Sequence, residues 1–234
     1  MSNPLSVVII ASNEEKYIED AVKSANFADE ILVLVNNSTD KTCEIAIRLG
    51  ARVEKNDWLG FGRQKNLAVN LAVNDWVFVL DSDERITEEL QIEILKVLEN
   101  PTSNGYFVSR LNRFFVKNIK TCGLFPDYSL RLFDRTKGKF DNTPVHESVK
   151  VVGNTSMLSH YMIHLAYDHI DEFIYKQKMY AKLSNKKKNI FKAFLSPCWV
   201  FFKIYFIKLG FIEGRHGFVI AKGYAKYTFW KYIK

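Results

Sequence analysis

Cysteine is scarce in this 234-residue sequence, and its three copies, Cys43, Cys122 and Cys198, stand far apart with no Cys-x-x-Cys pair. An odd, scattered set argues against a disulfide framework or a cysteine-based zinc site and points to a reducing compartment. The histidines lack zinc-hydrolase spacing: His160, His164 and His169 form no His-Glu-x-x-His element. The opening residues Met-Ser-Asn-Pro-Leu carry neither a basic region nor a long apolar run. No secretory signal is therefore expected, and the chemistry is expected in the cytoplasm. Internal repeats and low-complexity linkers are missing too. Acidic residues are nearly absent from the last stretch: residues 171–234 hold 14 Lys/Arg against 3 Asp/Glu, whereas residues 1–170 hold 19 against 23. The same 64 residues carry 17 of the 33 aromatics. This shift predicts two regions with different jobs, 1–170 and 171–234.

What is present is the composition of a folded chain, 47% apolar and 25% charged. Leu5–Ala11, Glu30–Val35 and Trp76–Leu80 are short, β-branched apolar runs that predict strands buried on both faces, with a shorter strand at Arg52–Glu54. Between them, helical patterns are expected over Glu14–Ala25, Lys41–Leu49 and Arg63–Val73, followed by Thr87–Leu98. Such alternation implies an α/β fold with a mainly parallel central sheet. Its ligands bind at the carboxyl ends of the strands, which nominates Ser12–Glu14, Val35–Asp40 and Asp81–Glu84. From Gly105 the pattern changes to alternating segments, predicting a small antiparallel patch in an acceptor-side half, 101–170, beside a nucleotide-binding half, 1–100.

The strongest local signal is Trp76-Val-Phe-Val-Leu-Asp81-Ser-Asp83-Glu84, where a buried strand delivers two carboxylates one residue apart. Adjacent like charges raise each other's pKa unless a cation intervenes. Mg²⁺ or Mn²⁺ binds through one or two such groups plus substrate phosphates. The same spacing also occurs in solvated acidic turns. A phosphatase-type nucleophile fits less well, because its Asp-x-Asp usually ends the first strand with Thr or Val two residues later, where Arg85 stands. Gly60-Phe-Gly62-Arg-Gln-Lys65-Asn66 lacks the third glycine of a dinucleotide fingerprint. As a loop opening a helix, it offers N–H groups and Lys65 to a diphosphate. Asp127 and Glu147 are loop carboxylates suited to a general base.

In order and spacing, several stretches together resemble one family: Ser6-Val-Val-Ile-Ile-Ala-Ser-Asn13-Glu14, Asn37-Ser-Thr-Asp40, Asp57-Trp-Leu-Gly-Phe-Gly-Arg-Gln-Lys65-Asn66, Leu80-Asp-Ser-Asp83-Glu84, Phe125-Pro-Asp127-Tyr-Ser-Leu-Arg131, Val145-His-Glu147 and Lys208-Leu-Gly-Phe-Ile-Glu213-Gly. The resemblance is to the family-two glycosyltransferases of GT-A fold, and more narrowly to the lipopolysaccharide core β-1,4-glucosyltransferases. It implies a GT-A-type nucleotide-binding fold and inverting transfer from a nucleoside-diphosphate sugar, UDP favoured, to a glycan or lipid-linked acceptor of the cell envelope. It further implies a donor site of Ala11, Asn13, Glu14, Val35, Asn37, Lys65, Asn66, Asp81, Ser82 and Arg131. A divalent cation would sit on Asp83 with Asp81 and His146, and Asp127 or else Glu147 would act as the base. Val35 stands where relatives place an aspartate that touches the nucleotide, Lys41 where they place glycine, and Glu213 departs from a late Gly-Phe-x-Asp-Gly element. The alternatives left standing are a nucleotide-sugar-binding relative with impaired turnover and the phosphatase-type hydrolase.

The tail predicts a helical basic and aromatic extension. Phe194–Ile212 is strongly apolar but interrupted by Pro197, Lys203 and Lys208, short of the ~20 predominantly apolar residues of a clean spanning helix. Lysine stems snorkel, so an interfacial helix on an anionic membrane surface is expected, with a homo-oligomer contact as the other use of this face. Single-stranded nucleic acid is not expected, because the rest of the chain is acidic and carries no RNA-binding motif.

Overall fold

Buried β-branched runs alternate with helices through the first 81 residues: β1 (Leu5–Ala11), α1 (Ile18–Ser24), β2 (Glu30–Val35), α2 (Thr42–Arg48), β3 (Arg52–Lys55), α3 (Phe61–Leu71) and β4 (Trp76–Asp81). The computed structural model describes residues 2–141 and 148–233. These four strands lie parallel in the order β3-β2-β1-β4, with Val8 beside Leu32 on one side and Val79 on the other. Each strand divides its side chains between two cores with period two. Val7, Ile9, Val33, Phe78 and Leu80 enter the core that receives Ile18 of α1 and Ala46 of α2. Val8, Leu32, Leu34, Val77 and Val79 enter the one that receives Ala68 and Val69 of α3. Burial of each such large side chain stabilises the fold by roughly 1.5–3 kcal/mol.

Two helix starts differ from the sequence reading, for local reasons. The N–H groups of Asn13, Glu14 and Glu15 donate to Ser38 Oγ, Thr42 Oγ1 and Asp40 Oδ2 at 2.9, 2.8 and 3.0 Å, so α1 begins only at Ile18. At α3, Gly60 takes φ +91° as the N-cap, a backbone that L side chains rarely adopt, and the helix opens at Phe61.

The chain continues through β5 (Glu84–Ile86), α4 (Glu88–Glu99), β6 (Gly105–Phe114), β7 (Lys117–Asn118), β8 (Asp127–Asp134), β9 (Gly138–Phe140), β10 (Val149–Val151) and β11 (Thr155–Tyr167). Thr87 caps α4, its Oγ1 accepting from the Leu90 N–H. The sheet extends past β4 as β8-β6-β11-β5, with β7 on β6, while β9 and β10 form a two-stranded sheet. β8 runs antiparallel to β4, pairing Trp76 with Asp134 and Phe78 with Leu132. The antiparallel segments thus supply the partner that the otherwise open edge of β4 requires.

The chain forms two compact units, Met1–Arg110 with Tyr128–His164 and Leu111–Asp127 with Leu165–Lys234. The second contains α5 (Ile170–Leu183), α6 (Ile190–Phe202) and α7 (Arg215–Ile233), and a π-helical turn, Lys203–Ile207, continues α6. Its core joins Phe114, Ile119, Cys122, Phe173 and Ile220. Gly223 lets α7 approach α5, since a Cβ there would lie 2.1 Å from the Phe173 ring. Pro197 does not end α6, although its missing N–H removes one helical hydrogen bond.

Glu213, the departure noted in the late motif, is a buried tie within this unit. Its carboxylate accepts from the backbone N–H groups of Lys120 and Thr121 at 3.0 and 3.2 Å and pairs with Lys117 Nζ at 2.8 Å. Burial raises its pKa, but the Lys117 contact, the Lys120 N–H and the Thr121 hydroxyl outweigh that and hold it below the usual carboxylate range. A carboxyl depressed in the folded state stabilises above its unfolded pKa and loses that contribution as pH falls through the folded value. Glu213→Ala is expected to destabilise the second unit by about 1–3 kcal/mol at neutral pH. Chemical denaturation should show the difference from wild type shrinking in acid below about pH 4.

Candidate active site

β1, β2 and β4 end side by side, and a cleft of about 690 Å³ opens at their carboxyl edge. Its lining includes Ala11, Ser12 and Glu14 after β1, Asn36 after β2, Lys65 on α3, Asp81, Ser82 and Asp83 at the end of β4, and His164 on β11. This is the place that a parallel sheet offers a ligand. Trp58 and Phe61 stand at the same cleft with ring centroids 4.8 Å apart, edge to face, and both are substantially exposed. Exposed aromatic rings beside polar groups suit a base or sugar ring.

The two carboxylates of the Asp-x-Asp element have different surroundings. Asp81 Oδ1 pairs with Lys65 Nζ at 2.9 Å, and its Oδ2 with Arg131 Nη2 at 3.1 Å. Burial raises the Asp81 pKa, but the charges of Arg131 and Lys65 outweigh it and hold the carboxyl far below its ordinary range. Arg131 also meets Glu84 Oε1 at 2.6 Å, and Glu84 Oε2 accepts the Asp81 N–H at 3.0 Å. One guanidinium is thus shared by two carboxylates. Glu84 is fully buried, with Arg110 Nη1 farther off at 3.7 Å from its Oε1; burial pushes its pKa up, and the negative charge of Asp81 adds to the rise against the pull of Arg131. For Arg131, burial lowers the pKa, but Glu84 and Asp81 raise it further, so it stays charged.

Asp83 faces the cleft with its side chain 39% exposed, 3.4 Å from His164 Nε2. Burial pushes the Glu14 carboxyl up, and the Asp83 charge pushes it further while a hydrogen bond to Ser82 pulls back. Two carboxylates that disfavour each other's charge at a cleft mouth fit a cation that also meets diphosphate oxygens. Among the described residues no group of three or more His, Cys, Asp or Glu forms a closed metal cage.

The other nominated residues sort clearly. Asn13 and Asn37 both adopt left-handed backbone, φ +54° and +46°, and Asn13 Oδ1 accepts the Thr39 N–H at 2.9 Å. Asn13 thereby joins the loops after β1 and β2. Val35 and Asn37 line a neighbouring cavity of about 390 Å³ with Lys55, Asn56 and Asp57. Asn66 points elsewhere: its amide donates to Phe140 O at 3.0 Å and accepts from Phe140 N at 2.8 Å, fastening α3 to β9. Lys65 and Arg131, nominated for phosphate, spend their charge on Asp81 and Glu84. Asp127 is half-buried at the start of β8, on the same strand face as Arg131 by the two-residue period. His146 and Glu147 lie outside the described residues. His164 was not nominated, because nothing local in its sequence marks it. It reaches the cleft through the long-range pairing of β11 with β5, which sets it opposite Glu84.

A family model for glycosyl transferase family 2 matches residues 6–161. The chain is 30% identical over 239 residues to an uncharacterized glycosyltransferase of Rickettsia conorii, covering 94% of this chain and 85% of that one. It is 29% identical over 242 residues to the lipopolysaccharide core biosynthesis glycosyltransferase LpsC of Rhizobium meliloti, covering 97% and 89%. Among solved structures, residues 1–349 of S. aureus TarS align at 14% identity with a TM-score of 0.51, covering 95% of this chain and 90% of that one, a likeness of fold. The family match takes in all four parallel strands and both carboxylates of the Asp-x-Asp element, and the chain belongs to glycosyl transferase family 2.

Proposed function

We propose that this glycosyltransferase moves a hexosyl group, in the manner of a glucosyltransferase, from a nucleoside-diphosphate donor (UDP favoured) to a glycan or lipid-linked acceptor in cell-envelope or lipopolysaccharide biosynthesis. The observation that carries this reading is the differentiated acid pair, with Asp81 locked between Lys65 and Arg131 and Asp83 open to a cleft edged by Trp58 and Phe61. The similarity to LpsC supports the class of acceptor.

In this reading the acceptor hydroxyl oxygen attacks the anomeric carbon from the face opposite the diphosphate. The new C–O bond forms as the bond to the diphosphate oxygen breaks, with inversion. The hydroxyl proton passes to a carboxylate, for which Asp127 is the first candidate and Glu147 the second. A divalent cation, Mg²⁺ or Mn²⁺, held by Asp83 would neutralise charge on the departing diphosphate. Asp81 and Lys65, held in place by Arg131, would present a fixed set of dipoles to the donor without reorganising. In this reading the cationic second unit would hold the enzyme at the cytoplasmic face of an anionic membrane, where a lipid-linked acceptor would be met.

A donor screen by nucleotide release, with and without EDTA, tests the whole reading; release from no nucleotide sugar under any cation would leave only a binding relative. Asp127→Asn is expected to cut the chemical step on the order of 10²-fold while donor binding persists. A loss of that size in Glu147→Gln, with little effect at Asp127, moves the base to Glu147. Val35→Asp is expected to change donor affinity or base preference, because it puts a carboxylate in the cavity shared with Asn37 and Asp57. Equal binding of uridine and other nucleotides by both proteins would show that this position does not read the base.

A further inference from the structure

The second unit leaves a large apolar surface uncovered. Ile190–Ile207 is one continuous 18-residue helical run, long and apolar enough to cross a membrane by length and composition, yet only 6% of it is buried. Phe191, Phe194, Leu195 and Trp199 are each more than half exposed. Between α6 and α7 lies a groove of about 620 Å³. Its walls are apolar side chains such as Phe194, Pro197, Phe201 and Phe229, with the small residues Cys198 of α6 and Ala225 of α7 also in the lining. Its only charged lining residues are Lys222 and Lys226 of α7, one helical turn apart and both exposed.

No acidic residue occurs in residues 173–234 except Glu213, and that carboxylate is buried against Lys117. Nothing in this stretch neutralises the two lysines from the solvent side. A hydrocarbon-lined channel with paired cations on its edge is complementary to an amphiphile with an anionic head. It does not suit a second copy of the same face, since 14 Lys/Arg against 3 Asp/Glu in residues 171–234 would repel each other.

We propose that the α6–α7 groove binds one acyl chain of an anionic membrane lipid, with Lys222 and Lys226 on its phosphate. This rests on the membrane-surface reading of the second unit and sharpens it from general adhesion to a lipid site. Apolar groups around the groove then enter the acyl boundary while the lysine stems reach to the headgroups. The site is separate from the donor cleft, every lining residue of which belongs to the first unit.

The test uses the full chain and two ligand forms. Dihexanoyl phosphatidylglycerol, below its micelle concentration, should bind saturably. Dihexanoyl phosphatidylcholine should bind on the order of tenfold more weakly, as should the anionic lipid to Lys222→Ser/Lys226→Ser. Ala225→Trp and Cys198→Trp fill the groove from α7 and from α6 without removing charge. Each should abolish binding of the short-chain lipid while keeping wild-type circular dichroism and nucleotide release. Cys198 is exposed, so its variant reports even where Ala225→Trp does not fold. In parallel, sedimentation with phosphatidylglycerol vesicles reads the membrane surface itself. Wild-type vesicle binding that neither tryptophan changes, with no saturable short-chain binding, overturns the groove and leaves the membrane surface standing. Failure of the wild type to bind either lipid form, or a salt-resistant dimer that shields Trp199, overturns both. Nucleotide release in the same samples reports the donor site independently of each.

Discussion

Asp83→Ala is expected to lower sugar transfer on the order of 10³-fold while leaving the melting temperature nearly unchanged. A cation on this carboxylate stabilises the departing diphosphate by several kcal/mol, and about 4 kcal/mol corresponds to that factor. The fold has little stake in the residue: its side chain is 39% exposed, and its ion-pair contact is His164 at 3.4 Å. Asp81→Ala is expected to behave differently. It strips the shared partner from Lys65 and Arg131, both almost fully buried, and stability should fall together with turnover. Measuring nucleotide release over a Mn²⁺ titration beside thermal unfolding separates the two. Wild-type turnover that persists in EDTA would remove the cation from the reading, and equal stability losses in the two variants would remove the division of labour.

The largest effect on stability is expected at Arg131. Its guanidinium is 4% exposed and meets Glu84 and Asp81 at 2.6 and 3.1 Å. Arg131→Met leaves Glu84, which is fully buried, facing Asp81 with the more distant Arg110, 3.7 Å from Glu84 Oε1, as its remaining guanidinium. Removing one partner of a buried ion pair costs about 3–5 kcal/mol, chiefly because the remaining charge is left uncompensated. The double variant Arg131→Met/Glu84→Leu should recover most of that loss, because Asp81 keeps Lys65 at 2.9 Å as a one-to-one pair. Hydrogen exchange of β1 and β4 amides in urea reads this unit without interference from the other. A double variant no more stable than Arg131→Met would show that packing of the long side chain, and not charge, dominates the site.

Much of this was legible in the sequence because its causes are local. Buried β-branched runs such as Ser6–Ile10 and Val77–Leu80 specify strands from composition, and their carboxyl ends give the cleft its place. Glu14, Asp81, Ser82 and Asp83 were nominated that way, Lys65 as part of a loop opening a helix and Ala11 from the family resemblance, and all six line the cleft. What was not legible depends on pairing between distant segments. His164 arrives through β11 and Arg131 through β8, so their partners Asp83 and Asp81 appear only once the sheet is assembled. The sequence also shows a lysine and an arginine as candidate anion binders, with nothing to mark that two buried acids already hold them. In the second unit, Gly217 and Gly223 carry no mark of their role in the sequence. Their reason is steric: a Cβ on Gly217 would lie 1.8 Å from Gly210 O, and one on Gly223 would strike Phe173.

The reciprocal bonds between the loops after β1 and β2 have a consequence for how this cleft can vary. Asn13, Glu14 and Glu15 donate to Ser38, Thr42 and Asp40, while Thr39 and Lys41 return donors to Asn13 Oδ1 and Glu15 Oε2 at 2.9 and 3.1 Å. Each loop draws partners from the other, so the two constitute one unit of inheritance although more than twenty residues separate them in the chain. A chimera that takes its first loop from one parent and its second from another would lose bonds at both ends of the exchange. A recombination library should therefore cross over before Ser12 or after Thr42, and natural drift at Asn13 would be tolerated only with a matching change at Ser38 or Thr39.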